Sequence, residues 1–107
     1  MYNPITKEML SKVSIKDAKI CEHQNKYSVC DSFSTIEFYV SATRVSYRVQ
    51  GDAYVVAMTK WLQLMLINGD SLKNITLEKI VEIFDLPEVK FRNAVQIFEI
   101  VEKINEL

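Results

Sequence analysis

Four residues of this chain have types and placements that invite chemistry: Cys30, Asp52, Arg92 and Asn93. Cys30 puts a thiol in a turn just before a strand. Asp52 puts a carboxylate where a strand hands over to a helix. Arg92 and Asn93 put a cation and an amide in the first turns of the last helix. In a sheet-plus-helices fold these loop ends can meet at one tip. Each also has a plain structural reading, which residue types alone favour: Cys30 as a small buried hydrophobe, Asp52 as a helix cap, Asn93 as a surface polar residue.

The common catalytic constellations are missing. His23 is the only histidine, so any Ser/His/Asp or Cys/His arrangement would have to use it. Its neighbours Glu22 and Gln24 suit a polar edge strand at the surface. A Cys30–His23 nucleophile pair across a hairpin is conceivable, but no spacing singles it out. Two glycines, Gly51 and Gly69, cannot build a phosphate-cradling loop. Cys21, His23 and Cys30 fall short of the four ligands of a structural zinc site, and no Cys-x-x-Cys is present. Glu78, Glu82, Glu99, Glu102 and Glu106 lie near lysines on helix faces and read as solvation. With no nucleophile and base spaced for hydrolysis, the chain reads as one that binds rather than turns over.

The elements that position these residues centre on residues 51–69. Asp52 can cap the first turn of a helix, and Asn68-Gly69 supplies a left-handed exit. Between them only Thr59, Lys60 and Gln63 are clearly polar, a narrow stripe, so most of the circumference should be buried. The helix is too short for a bilayer and carries Lys60, so it is a core helix. Before it, residues 43–50 alternate, with Val45, Tyr47 and Val49 facing one way and Arg44, Ser46 and Arg48 the other. Residues 32–40 also alternate, with Ser34, Ile36, Phe38 and Val40 on one face and Phe33, Thr35, Glu37 and Tyr39 on the other. The two runs predict an antiparallel hairpin linked by Ser41-Ala42.

Toward the N-terminus, Asn3-Pro4 breaks structure, and Ile5, Met9, Leu10 and Val13 are spaced for a short amphipathic helix. Residues 18–24 form an edge strand at best, and Asn25-Lys26 is a turn candidate. After a polar loop over 70–75, Thr76 caps a helix with Leu77, Ile80, Val81 and Phe84 on one face. Asp85 and Glu88 have the shape of a capping box, with Pro87 in the first turn. In the last helix, Phe91, Ala94, Val95, Phe98 and Val101 make the buried stripe, with Ile97, Ile100 and Ile104 beside it. Strands first and helices after predict an α+β domain: a small three-stranded antiparallel sheet covered on one face by helices.

The totals fit one domain. The chain has 107 residues, 49% of them apolar, which suffices for a single core and excludes disorder. A net charge of −1 gives no general attraction to nucleic acid or to a membrane surface. No apolar leader opens the chain, so a cytoplasmic location is expected, with Cys21 and Cys30 as reduced thiols rather than a hairpin disulfide.

Several of these stretches resemble the IscU/NifU-type (NifU N-terminal-domain-like) scaffold proteins of iron–sulfur cluster assembly. In that family a Cys-Gly-Asp opens the middle strand, and a later strand ends in Gly-Cys-Gly before a helix of small residues. A Leu-Pro-Pro-Val-Lys segment then leads to a His-Cys at the start of the last helix. Here Cys30-Asp31-Ser32 stands at the first motif and Gly51-Asp52 at the second. Leu86-Pro87-Glu88-Val89-Lys90-Phe91-Arg92-Asn93 stands at the third. Gly69 and residues 72–83 fall in family order, and the likeness runs from about Tyr27 to the end. The resemblance implies a non-catalytic scaffold or carrier. A cysteine desulfurase and an Hsp70-type chaperone would be its partners, the chaperone contact would fall on Leu86, Pro87, Val89 and Lys90, and a homodimer is conceivable.

The departures from the family are large. Its three cysteine ligands reduce to Cys30, with Asp52 and Asn93 at the other two positions, Ser32 at the aspartate and Arg92 at the histidine. Clusters are held by thiolates, so Cys30, Asp52 and Asn93 form a degenerate metal site at best, and Arg92 adds a cation that opposes one. Bulky Tyr54 is expected to crowd the tip. A cluster, iron or zinc are thus the conceivable cofactors, and no stable binding is the expectation. The competing reading is a metal-free protein–protein interaction module that keeps the scaffold fold. Arg92 could instead serve an anion at the start of the last helix.

Overall fold

The structure, a computed structural model, describes residues 2–20, 23–32, 34–42 and 44–105. Among these it forms α1 (Pro4–Lys12), β1 (Asn25–Cys30), β2 (Thr35–Val40), β3 (Val45–Gln50), α2 (Ala53–Asn68), α3 (Leu77–Phe84) and α4 (Phe91–Asn105). Two 3-10 turns, Ile15–Ala18 and Glu88–Lys90, join them. The strands are antiparallel in the order β1-β2-β3, so the fold is α+β. The register sets Tyr27 opposite Phe38 and Phe38 opposite Tyr47, and at one end Cys30 opposite Thr35 and Thr35 opposite Gln50. Helix α2 packs on β3 and α4 on β1, enclosing Ile36 and Phe38. No helix among the described residues is long and apolar enough to cross a membrane.

Local chemistry accounts for the helix ends. Asn3 caps α1, its Oδ1 accepting from the Thr6 N–H at 2.9 Å, and Pro4 sits in the first turn, where no N–H is needed. Thr76 caps α3 through the Lys79 N–H. Gly69 ends α2 in the left-handed region, at φ 75. Asn3-Pro4 therefore starts a helix rather than merely breaking one.

Four expectations need correction. Residues 18–24 hold no strand among those described: Ala18 ends a 3-10 turn, His23 lies in a turn at φ 66, and Asn25-Lys26 opens β1 instead of turning. Cys21 and Glu22 lie outside the described residues, as do Phe33 and Thr43 of the two strand predictions. Tyr27 and Val29 decide the shift, because they complete the apolar face opposite Phe38 and Ile36. Asp85 is not a helix N-cap. It ends α3 with a left-handed backbone (φ 47), and its N–H bonds back to the carbonyls of Glu82 and Val81. Aspartate tolerates that conformation better than most residues.

The buried stripe of α4 is also rotated from its expected place. Asn93, Ala94, Gln96, Ile97, Ile100 and Val101 are inside, whereas Phe91 and Val95 are exposed. Gln96 can be buried because it is partnered: the Ser34 hydroxyl donates to its Oε1, and its Nε2 donates to the Ser34 carbonyl at 3.4 Å. Finally, the polar stripe of α2 points inward. Thr59, Lys60 and Gln63 are buried while Ile67 is exposed. Thr59 bonds its own helix at the Val55 carbonyl (2.8 Å). Lys60 and Gln63 meet Asp17, and Gln63 also donates to the Val45 carbonyl at 2.9 Å. These bonds hold the 3-10 turn Ile15–Ala18 against α2 and the edge strand β3. The Ser46 hydroxyl adds one more, donating to the Lys19 carbonyl at 2.5 Å.

Candidate functional site

Strand β3 ends at Gln50 and α2 starts at Ala53, leaving Gly51-Asp52 as a two-residue corner. Gly51 is there for space. A Cβ on it would lie 3.1 Å from the Ser34 Cβ and 3.2 Å from the Val55 Cβ. Asp52 is extended, and its Oδ1 accepts from the Val55 N–H at 3.1 Å, capping α2 as expected. Its other oxygen accepts from the Lys90 ammonium, which arrives from the 3-10 turn Glu88–Lys90. Burial alone would raise the Asp52 pKa. The Lys90 ammonium and the Val55 and Tyr54 N–H groups outweigh burial and hold the carboxyl below its ordinary value. The Asp52 carboxylate in turn raises the Lys90 pKa.

A cavity of about 400 Å³ opens beside this pair. Ser34, Gly51, Asp52 and Val55 form one wall, and Val89, Lys90, Arg92 and Asn93 the other. Asn93 is only 5% exposed, and among the described residues its side-chain amide has no hydrogen-bond partner. No fully enclosed side-chain nitrogen or oxygen among the described residues lacks a partner, so the Asn93 amide is reached from the cavity it lines. Arg92 stands at the rim with its Nε 3.8 Å from Asp31 Oδ2. Asp31 also accepts the Ser34 N–H at 2.9 Å, which ties the end of β1 to the cavity wall.

The structure therefore gathers Asp52, Lys90, Arg92 and Asn93, and leaves Cys30 outside the lining. Cys30 is the last residue of β1 rather than a turn residue, and it is exposed rather than buried. Alternation places it on the sheet face shared with Thr35 and Gln50, not the face that carries Ile36 and Phe38. Its Sγ lies 3.3 Å from Thr35 Oγ1. Tyr54 does not crowd the cavity. Its ring packs edge-on against Tyr2, centroids 4.8 Å apart. Asn93 is buried rather than a surface residue.

The Leu86–Lys90 segment divides in two. Leu86 is buried and Lys90 is held by Asp52, while Pro87 is exposed and Val89 is 81% exposed. Among the described residues, no three His, Cys, Asp or Glu side chains are grouped as metal ligands. Ser34 and Gln96 were not among the residues singled out from the sequence. Their link spans 62 positions, and no local pattern signals it.

Comparison of the chain with protein-family models, with curated proteins and with solved structures finds no match.

Proposed function

We propose that this chain is a non-catalytic binding module with the body of an IscU/NifU-type scaffold. It acts in iron–sulfur cluster assembly through its partners rather than through a cluster of its own. The observation that carries this reading is the ion pair between Lys90 and Asp52. It joins the Leu86–Lys90 segment to the Gly51-Asp52 corner, the two stretches on which the resemblance chiefly rests. Asn93, at the third motif, lines the same cavity.

The side chains at this tip fit a cluster poorly. Both Asp52 oxygens are engaged, by an N–H and by an ammonium. The Lys90 and Arg92 charges oppose a cation at close range. The Cys30 thiol lies on the other face of the sheet. Partner binding has better support, because Pro87 and Val89 present an apolar, proline-containing stretch to solvent. That exposed turn is the surface an Hsp70-type chaperone would contact by the resemblance. Cys30, exposed at the end of β1, is the thiol a cysteine desulfurase would reach. A carrier role centred on Cys30 is the second reading, and that exposure is its support.

Anaerobic incubation with iron and sulfide separates the two readings, with Cys30→Ala beside the parent. The module reading expects no bound iron in either protein, together with capture of the chaperone that weakens in Val89→Asp. Stoichiometric iron in the parent that disappears in Cys30→Ala selects the carrier. Absence of both iron and chaperone capture overturns the scaffold assignment.

A further inference from the structure

The cavity between the Gly51-Asp52 corner and the start of α4 has features that the scaffold reading does not use. Asn93 is buried to 5% exposure and has no hydrogen-bond partner among the described residues, yet it borders the cavity. A nearly buried amide left without a partner is uncommon in folded proteins, and such groups are normally answered by water or a ligand. The cavity, at about 400 Å³, exceeds the roughly 30 Å³ share of one water in the liquid.

The charges around the amide decide which ligand suits it. Lys90 and Arg92 both line the cavity together with Asp52, while Asp31 sits 3.8 Å from the Arg92 Nε at its rim. The Asp52 carboxylate is already committed, one oxygen to the Val55 N–H and the other to Lys90. An ammonium carries three N–H donors, of which Asp52 takes one. The remaining donors of Lys90, the Asn93 NH₂ and the Arg92 guanidinium thus edge one space. That set of donors suits an oxyanion, since charge-assisted N–H bonds to phosphate or carboxylate oxygens are among the stronger ones. Gly51 also lines the cavity, and a Cβ there would meet Ser34 and Val55.

We propose that this cavity is a binding site for a small oxyanion, a phosphate or carboxylate group held by Asn93, Lys90 and Arg92. The proposal is independent of any role in cluster assembly.

Titration of ¹⁵N-labelled protein with inorganic phosphate tests it, against sodium chloride at matched ionic strength, with acetate as a second arm. Saturable shifts are expected at the Gly51 backbone amide and the Asn93 side-chain amide. Saturation by phosphate alone assigns a phosphate-bearing ligand, saturation by acetate alone a carboxylate, and saturation by both the shared oxyanion chemistry. Asn93→Asp, nearly isosteric but negative, should weaken binding at least tenfold. Arg92→Gln, at a largely exposed position, should weaken it severalfold. Two results overturn the proposal: neither anion saturates, which leaves a cavity for water only, or Arg92→Gln binds as tightly as the parent.

Discussion

The Lys60 ammonium lies 3.0 Å from the Asp17 carboxylate, across 43 positions of sequence, and both side chains are almost wholly buried. Around them the Tyr47 hydroxyl donates to Asp17 at 2.9 Å, and the Ser14 N–H donates at the same distance. Gln63 Nε2 reaches Asp17 at 3.3 Å, and its Oε1 accepts from Lys60 at 2.8 Å. The group joins the N-terminal turn, β3 and α2 in one polar network. Removing one member of a buried ion pair strands the other. Lys60→Met should therefore cost about 3–5 kcal/mol in urea unfolding. The double variant Asp17→Asn/Lys60→Met should recover part of that loss, and equal losses in the single and double variants would count against the coupling.

Acid should weaken the fold through Asp17 and Asp52. Burial pushes the Asp17 carboxyl up, but the Ser14 N–H, Lys60 and Tyr47 outweigh it, so its pKa falls below the ordinary value of 3.8. Asp52 is lowered likewise. A depressed carboxyl means that the unfolded chain binds protons first. Its stabilisation is complete above the unfolded pKa and is lost as pH falls through the folded one. Unfolding followed between pH 5 and pH 2 should show this decline, with a shallower slope in Asp17→Asn.

Alkali should act through Tyr47. Burial, then the hydrogen bond to Asp17, raises its phenol pKa above the ordinary value of 10.0. The neutral phenol belongs to the folded state, so its contribution is full below about pH 10 and declines as pH rises beyond that. Tyr47→Phe should be less stable than the parent at neutral pH. It should also lose the share of the tyrosinate absorbance change that Tyr47, one of five tyrosines, contributes on alkaline unfolding.

At the candidate site, cap and ion pair are separable. Asp52→Ala removes the cap of α2 together with the Lys90 pair and should cost about 1 kcal/mol, of which the cap share persists in high salt. Lys90→Ala removes only a solvent-accessible pair and should cost less than Asp52→Ala, with a difference from the parent that shrinks in 1 M salt. Thermal unfolding of both variants at low and high salt checks the order.

Gly51→Ala should destabilise through contact rather than backbone strain. The new Cβ would meet the Ser34 and Val55 Cβ atoms at 3.1 and 3.2 Å, and crowding of this type costs about 1–3 kcal/mol. Gly69→Ala has open space around it but sits at φ 75, so its cost of about 1 kcal/mol comes from the backbone. Combining the two changes should give additive losses in urea unfolding, because neither residue shares a partner with the other.

Local patterns in the sequence were sufficient for the fold class and most of the elements. Alternation marked β2 and β3, and Asp52, Thr76 and Gly69 marked helix ends, because strand period and capping are short-range effects. Those rules failed where a distant partner changed the cost of burial. The stripe of Thr59, Lys60 and Gln63 points inward only because Asp17 and the Val45 carbonyl wait there. The buried face of α4 turned toward Asn93 and Gln96, with Ser34 meeting Gln96 across 62 positions. At the candidate site, residue order alone was enough to make Asp52 a helix cap at the strand end, since that bond spans three residues. The closure of Lys90 on Asp52 and the facing of Asn93 into a cavity depend instead on long-range packing. So does the turning of Cys30 the other way, because strand register and helix rotation are settled by packing of the whole core.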